Sequence, residues 1–105
     1  MSNYTDYMEE MFFNRVSEVR EVIYENWKWK EDYLSKRSKY PDWVTRDGKH
    51  IPVSKVTDSH LENLLRFLSE DDVWHTVFAC EKRYRELCRL EEEDRVNEEV
   101  INLVY

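Results

Sequence analysis

The sequence predicts an α+β fold that is mainly helical: a long N-terminal helix, a β-hairpin, two further helices and a short C-terminal helix. Apolar residues recur at steps of three and four over long stretches, which is the period of a helix with one buried face. The chain has one glycine and two prolines, and that glycine stands in an Asp47-Gly48 pair typical of a hairpin turn. A length of 105 residues fits a single domain spanning 1–105.

The first helix is expected over residues 5–37, ahead of Pro41, which ends a helix. Its apolar stripe, which includes Met8, Val16 and Ile23, covers nearly half of the helix circumference. A stripe this wide is typical of a helix that faces two elements or a second molecule. We therefore expect a homodimer or a chain that is bound to a partner.

The hairpin is expected over residues 43–53, with Asp47-Gly48 as the two central residues of a type I′ turn. Because that turn requires positive φ at both positions, we expect Gly48 to be structurally required. The register pairs Arg46 with Lys49, Thr45 with His50, and Val44 with Ile51, and it places Trp43 on the face opposite Val44.

Two side chains are expected to fix the start of the second helix. Thr57 is a good N-cap, because its hydroxyl can accept a hydrogen bond from a backbone N–H of the first turn. His60 falls in that first turn and is expected to fix the corner between the hairpin and the helix. Ser69 is expected to cap the third helix, and Asn97 the short last helix.

Composition and charge narrow the classes of function. The net charge is −7, and a globally acidic chain repels nucleic-acid phosphates, which disfavours direct nucleic-acid binding. No apolar run approaches the roughly 20 residues that span a bilayer, so no membrane association is expected. The acidic N-terminal segment is unlike a signal peptide and the chain has two cysteines, which together indicate a reducing, cytoplasmic setting.

The sequence carries no motif for catalysis, phosphate binding or metal binding. It has no G-x-S-x-G elbow and no P-loop, and a single glycine can hardly build an oxyanion or phosphate nest. No two of His50, His60 and His75 are three or four residues apart, and Cys80 and Cys88 are eight apart. We therefore expect no enzyme, no cofactor and no metal. The competing class is a protein that uses the three histidines for catalysis or metal binding.

Candidate partner-binding residues fall into three groups. Acidic side chains follow the first helix and a run near the C-terminus, and such acids can occupy a basic surface. The third helix presents Trp, Phe and Arg, the residue types that dominate interface energetics. The alternative is that Trp74 and Phe78 pack under the first helix while the basic residues pair locally, Arg85 with Glu81 and Lys82 with Glu86. The candidates are Glu9, Glu10, Glu18, Glu21 and Glu25; Glu91, Glu92, Glu93, Asp94, Glu98 and Glu99; and Trp74, Phe78, Arg85 and Arg89.

One stretch resembles a sequence pattern of short phage and prophage proteins. The pattern is Trp-x-Thr, a basic residue, Asp or Glu before Gly, and then Met-Thr-Asp-x-His-Leu; residues 43–63, WVTRDGKHIPVSKVTDSHLEN, are similar to it. Val56 departs from the pattern, which usually has Met there. The resemblance covers 21 of the 105 residues and implies a phage-type accessory protein more than an activity. The matching positions include Trp43, Thr45, Arg46, Asp47, Gly48, Thr57, Asp58, His60 and Leu61.

These observations together predict a stoichiometric binding protein. We expect a small phage-encoded inhibitor that acts in the cytoplasm of an infected host cell by occupying a host protein. The expected target is a nucleic-acid-handling defence enzyme such as a CRISPR effector, so the activity would be anti-CRISPR-like. The alternative is a nucleic-acid-binding accessory protein that uses the basic segment 27–49, with Trp27, Trp29 and Tyr40 as stacking groups.

Overall fold

The computed structural model of the chain describes residues 3–105, with side chains from Asp6 onward. Its elements confirm a mainly helical chain with a small antiparallel sheet, although the detailed arrangement differs from the expected one. In chain order they are helix α1 (Asn3–Arg37), strand β1 (Trp43–Val44), strand β2 (His50–Ile51), a 3-10 turn (Val53–Lys55), helix α2 (Asp58–Phe67) and helix α3 (Val73–Val104).

The expected short C-terminal helix is wrong, because α3 continues through Asn97 without a break. The chain has no glycine or proline after Pro52, so nothing in the covalent structure ends the helix at Asn97. Arg95 also donates hydrogen bonds to Glu92 and to Glu99, at 2.5 Å and 2.6 Å. These pairs lie three residues before and four residues after Arg95, a spacing that requires continuous helix.

The start of α3 also differs from the expected one, since Asp72 and not Ser69 caps the helix. The Asp72 carboxylate accepts a hydrogen bond from the N–H of Trp74 at 2.8 Å, as an N-cap does. Ser69 accepts from the N–H of Asp71 at 3.3 Å and lies in the turn before the helix. A serine followed by three acids thus forms a turn whose last acid becomes the cap.

The register predicted for the hairpin is wrong by one residue. Trp43 pairs with Ile51, and Val44 with His50. The N–H of Gly48 donates to the carbonyl of Thr45 at 2.9 Å, so the loop has three residues and not two. Gly48 has a φ of +84°, and no other described residue has positive φ. The turn is therefore a type I turn followed by a glycine bulge. An Asp-Gly pair is compatible with this turn as well as with the type I′ turn.

This register turns the hairpin over and gives it a core-facing side. Trp43 and Ile51 lie on one face and pack against the core, whereas Val44 is half-exposed on the other. The core itself consists of Phe78 from α3, Leu61 from α2, Val53 at the start of the 3-10 turn and Val56 directly after it. An isolated two-stranded hairpin is marginal in water, so its attachment to this core is what holds it.

The contacts group the chain into two compact units, and the expectation of a single domain stays a prediction. The hairpin unit spans Trp29–Glu86 and contains the core just described. The two-helix unit consists of Met1–Lys28 and Leu87–Tyr105, from α1 and α3. Within the two-helix unit the segments run antiparallel: Phe13 contacts Tyr105 with ring centroids 5.2 Å apart, and Arg20 pairs with Asp94. The buried side chains of this unit are Val16, Val19 and Leu87.

The predicted cap of α2 is confirmed. The helix begins at Asp58, and the Thr57 hydroxyl accepts a hydrogen bond from the backbone N–H of His60 at 3.2 Å. His60 thus contributes its main chain to the cap, while its side chain is half-buried.

Replacing Thr57 with alanine should lower the free energy of unfolding by about 1 kcal/mol, because a helix N–H loses its acceptor. Thr57→Ser keeps the hydroxyl and should retain most of the stability. Urea unfolding followed by circular dichroism measures both variants. Equal stability of the alanine variant and the wild type would contradict the cap.

Candidate protein-binding surface

The net negative charge of the chain is carried by one of its two units. The two-helix unit carries 12 Asp and Glu against 5 Lys and Arg, a net charge of −7. The hairpin unit carries 11 of each sign and is neutral. Long-range electrostatic attraction of a cationic partner would therefore be directed to the two-helix unit.

The acidic run near the C-terminus is largely neutralised inside the two-helix unit. Glu93 accepts two hydrogen bonds from Arg15, at 2.7 Å and 2.9 Å, and Asp94 accepts one from Arg20 at 2.9 Å. Glu92 receives Arg95, and the bound guanidinium lowers the pKa of that carboxylate. Since these carboxylates already have cationic partners, they offer a second molecule less unpaired charge than their number indicates.

Several acids of the first helix remain unpaired. Glu10, Glu18, Glu21 and Glu25 share one exposed face of α1 at helical spacing, and we call this set the α1 acidic face. Within residues 3–105, no hydrogen bond or ion pair engages Glu10, Glu21 or Glu25, and Glu18 has only a 3.8 Å contact with Arg15. Glu9 lies off this face, and burial followed by the charge of Glu9 raises the pKa of Tyr105.

The aromatic residues expected to contact a partner from the third helix are engaged within the hairpin unit. Phe78 is completely buried, with 0% exposure, and lies at the centre of the core. Trp74 is half-buried, with its ring centroid 5.6 Å from that of Phe78 and 5.2 Å from that of Trp43. Both side chains therefore pack inside the hairpin unit, where each contacts Trp43 of β1. Arg89 is exposed.

Arg85 belongs to a buried polar network centred on Glu81, whose side chain is 1% exposed. Glu81 accepts hydrogen bonds from Tyr33 at 2.7 Å, from Arg85 at 2.7 Å and from Arg37 at 3.3 Å. Arg85 also donates to the carboxylate of Asp58 at 2.8 Å. Its remaining N–H groups reach two backbone carbonyls, that of Val56 at 2.7 Å and that of Val53 at 3.4 Å.

Sequence reasoning found only one edge of this network, the Glu81–Arg85 pair four residues apart on one helix. The missed partners, Tyr33 and Arg37, lie 48 and 44 residues from Glu81 in the chain. One signal was present: Glu81 interrupts the apolar stripe of α3 next to Phe78. A carboxylate at such a position needs several donors, because an unpaired buried charge is costly.

Two clefts of the hairpin unit show no thiol beside a histidine, the pair that nucleophilic catalysis by cysteine would use. One of about 360 Å³ is lined partly by Arg37 and Asp42. Another of about 260 Å³ contains Cys80 with Asp32 and Lys36. No histidine lines either cleft next to this thiol, and both cysteines are free. Among residues 3–105, no group of three His, Cys, Asp or Glu side chains is placed to hold a metal ion.

Two of the three proposed nucleic-acid stacking groups already pack against other side chains. Trp29 is stacked on Tyr33, with centroids 5.3 Å apart, and the Arg83 guanidinium lies 4.0 Å from the Trp29 ring centroid. Tyr40 is half-buried and packs against the core. Trp27, the third of these residues, is 52% exposed.

No protein-family model, curated protein or solved structure matches the chain. The similarity of residues 43–63 to short phage proteins therefore stays a prediction. Across the part of the chain that the structure describes, no helix has both the length and the apolar character needed to cross a membrane.

The network predicts how stability depends on alkaline pH. Burial, and then the hydrogen bond to Glu81, raise the pKa of Tyr33. In the unfolded chain this phenol ionises near its ordinary pKa of 10.0. The stability from the neutral phenol is therefore complete below about pH 10 and is lost as pH rises above it.

Tyr33→Phe should lower the free energy of unfolding at neutral pH by about 1.5–3 kcal/mol, the usual contribution of a hydrogen bond to a charged group. The variant should also lose less stability than the wild type between about pH 9 and pH 11. The urea midpoints of the variant and the wild type at about pH 9 and about pH 11 measure this loss of stability. Tyr24→Phe is the matched control, since Tyr24 is 78% exposed. Equal alkaline losses in wild type and Tyr33→Phe would show that Tyr33 is not buried as a neutral donor.

Proposed function

We propose that this protein is a stoichiometric inhibitor that binds a basic surface of a host protein and occludes it. The observation that carries this proposal is the confinement of the whole net charge of −7 to the two-helix unit. On that unit the α1 acidic face has carboxylates without cationic partners among the described residues. A basic partner surface would supply the missing counter-charges.

The sign and spacing of the charges on this surface support occlusion. Carboxylates that project from one helix face at fixed spacing present a row of negative charge, as a nucleic-acid backbone does. Such a row steers a positively charged cleft toward it and speeds association. The proposed target is therefore an enzyme whose basic channel normally holds nucleic acid. The similarity of residues 43–63 to short phage proteins supports a defence enzyme such as a CRISPR effector, and hence an anti-CRISPR-like role in an infected cell.

The structure changes which residues we propose for binding. The α1 acidic face replaces the run from Glu91 to Asp94 as the principal surface, because Arg15, Arg20 and Arg95 already neutralise most of that run. Trp74, Phe78 and Arg85 leave the proposed interface because they hold the hairpin unit together.

Charge reversal of the α1 acidic face should abolish capture of the partner. The variant is Glu10→Lys, Glu21→Lys and Glu25→Lys. It should retain wild-type helicity, because the three side chains are exposed and lysine is a good helix former. Pull-down from a bacterial lysate with immobilised protein, followed by mass spectrometry, measures the loss of a stoichiometric protein band.

The matched control reverses three exposed acids of the hairpin unit and changes the net charge equally: Glu31→Lys, Asp42→Lys and Glu70→Lys. This control should still capture the partner. If the α1 variant captures the same protein as the wild type does, occlusion by the acidic face is wrong.

Direct nucleic-acid binding is the competing function, and gel shift in low salt separates the two. The neutral hairpin unit and the occupied faces of Trp29 and Tyr40 lead us to expect no shift of DNA or RNA at micromolar protein. Tight binding that weakens steeply with salt would instead favour the basic segment 27–49. In that case a matched Lys36→Glu and Lys39→Glu variant should lose the shift.

A further inference from the structure

A band of exposed apolar side chains lies beside the α1 acidic face. On α1, Met8, Met11 and Arg15 occupy positions i, i+3 and i+7, and therefore share one face. On α3, Glu93, Val96, Val100 and Val104 occupy positions i, i+3, i+7 and i+11, and likewise share one face.

An ion pair joins these two faces. Arg15 and Glu93 are connected by two hydrogen bonds, at 2.7 Å and 2.9 Å, so the two rows border the same side of the two-helix unit. We call the five apolar residues of this side the Met-Val flank: Met8, Met11, Val96, Val100 and Val104. Their exposed fractions lie between 38% and 67%. Single exposed apolar residues are ordinary, but five together on one side indicate an interaction site.

The acidic face borders this flank directly. Glu18 is 3.8 Å from Arg15, which continues the row of Met8 and Met11. Glu18 also lies seven residues after Met11, two helical turns along nearly the same line. A molecule that covers the Met-Val flank would therefore meet carboxylates along one of its edges.

We propose that the Met-Val flank binds an amphipathic helix whose polar face is rich in lysine and arginine. The apolar face of such a helix would cover the methionines and valines, while its cations would reach the α1 acidic face. The length agrees, since Val96 to Val104 rises about 12 Å and the apolar anchors i, i+4 and i+7 of a docked helix span about 10.5 Å. Methionine suits this use because its flexible side chain adapts to the partner.

Charge favours this occupant over a second copy of the chain. Pairing two copies through the flank would bring together two units of net charge −7. Like charges at that distance repel, whereas a basic helix gains attraction at the same edge. The inference rests on the proposed function in one respect, since both require a basic partner, and it adds the secondary structure and the apolar stripe of that partner.

The probe is an 18-residue peptide with leucines at helical spacing i, i+3, i+4 and i+7 and lysines at the remaining positions. Calorimetric titration of the full chain should show saturable one-to-one binding. Two control peptides should not bind at the same concentrations: one with glutamate in place of every lysine, and one with the same residues in scrambled order. The scrambled peptide keeps the charge and removes the apolar stripe.

A charge-neutral variant then locates the site. Met11→Gln with Val100→Gln should weaken peptide binding at least about tenfold, the loss expected when central apolar contacts are removed. The matched control, Phe67→Gln with Val73→Gln, changes two apolar side chains of the hairpin unit that are even more exposed, and should bind as the wild type does. Circular dichroism checks that helicity is kept. Met8→Gln with Val104→Gln tests the same flank if the first variant unfolds.

Three results would overturn the inference. The first is equal affinity of the wild type and both flank variants. The second is equal binding of the scrambled peptide, which would reduce the interaction to charge alone. The third is light scattering that shows a dimer which Met11→Gln with Val100→Gln dissociates, together with no peptide binding. The lysate pull-down tests the proposed function separately. If that function is wrong, charge reversal of the α1 acidic face will leave capture of the partner unchanged.

Discussion

The hairpin unit depends on one buried carboxylate. Glu81 is almost inaccessible to water, so its charge is tolerable only while Tyr33, Arg37 and Arg85 donate to it. Tyr33 and Arg37 connect Glu81 to α1. Arg85 extends the network to the Val53 carbonyl in the 3-10 turn and to Asp58, the first residue of α2. The carboxylate thus fixes the relative positions of elements that apolar packing alone would leave freer to slide.

Ion pairs also determine which charges remain unpaired on the surface of the two-helix unit. Arg15 and Arg20 of α1 form ion pairs with acids of α3 and so connect the two helices. Arg95 forms an ion pair within α3 and stabilises that helix. These pairs leave Glu10, Glu21 and Glu25 of the α1 acidic face without an ion-pair partner among the described residues. Folding therefore selects one acidic surface from the two that the sequence contains.

The sequence predicts the features that depend on local chemistry. The helical periods locate α1 and α2 to within a few residues, Thr57 caps α2, and Gly48 takes positive φ. The hairpin register escapes prediction because an Asp-Gly pair fits both a two-residue and a three-residue loop, and the choice depends on which face packs on the core. The pairing of Glu93 with Arg15 escapes for another reason: 78 residues separate the two, and no local pattern records that distance.

The brevity of the hairpin has a consequence for how the protein would aggregate. Strands of two residues present few unpaired amide and carbonyl groups along their edges. Fibril growth needs a longer edge that can template a strand from the next molecule. The apolar side chains of the Met-Val flank are therefore exposed to water on helices, with no β-strand edge beside them. Contacts between folded copies of this protein would therefore be made through side chains and not through paired strand edges.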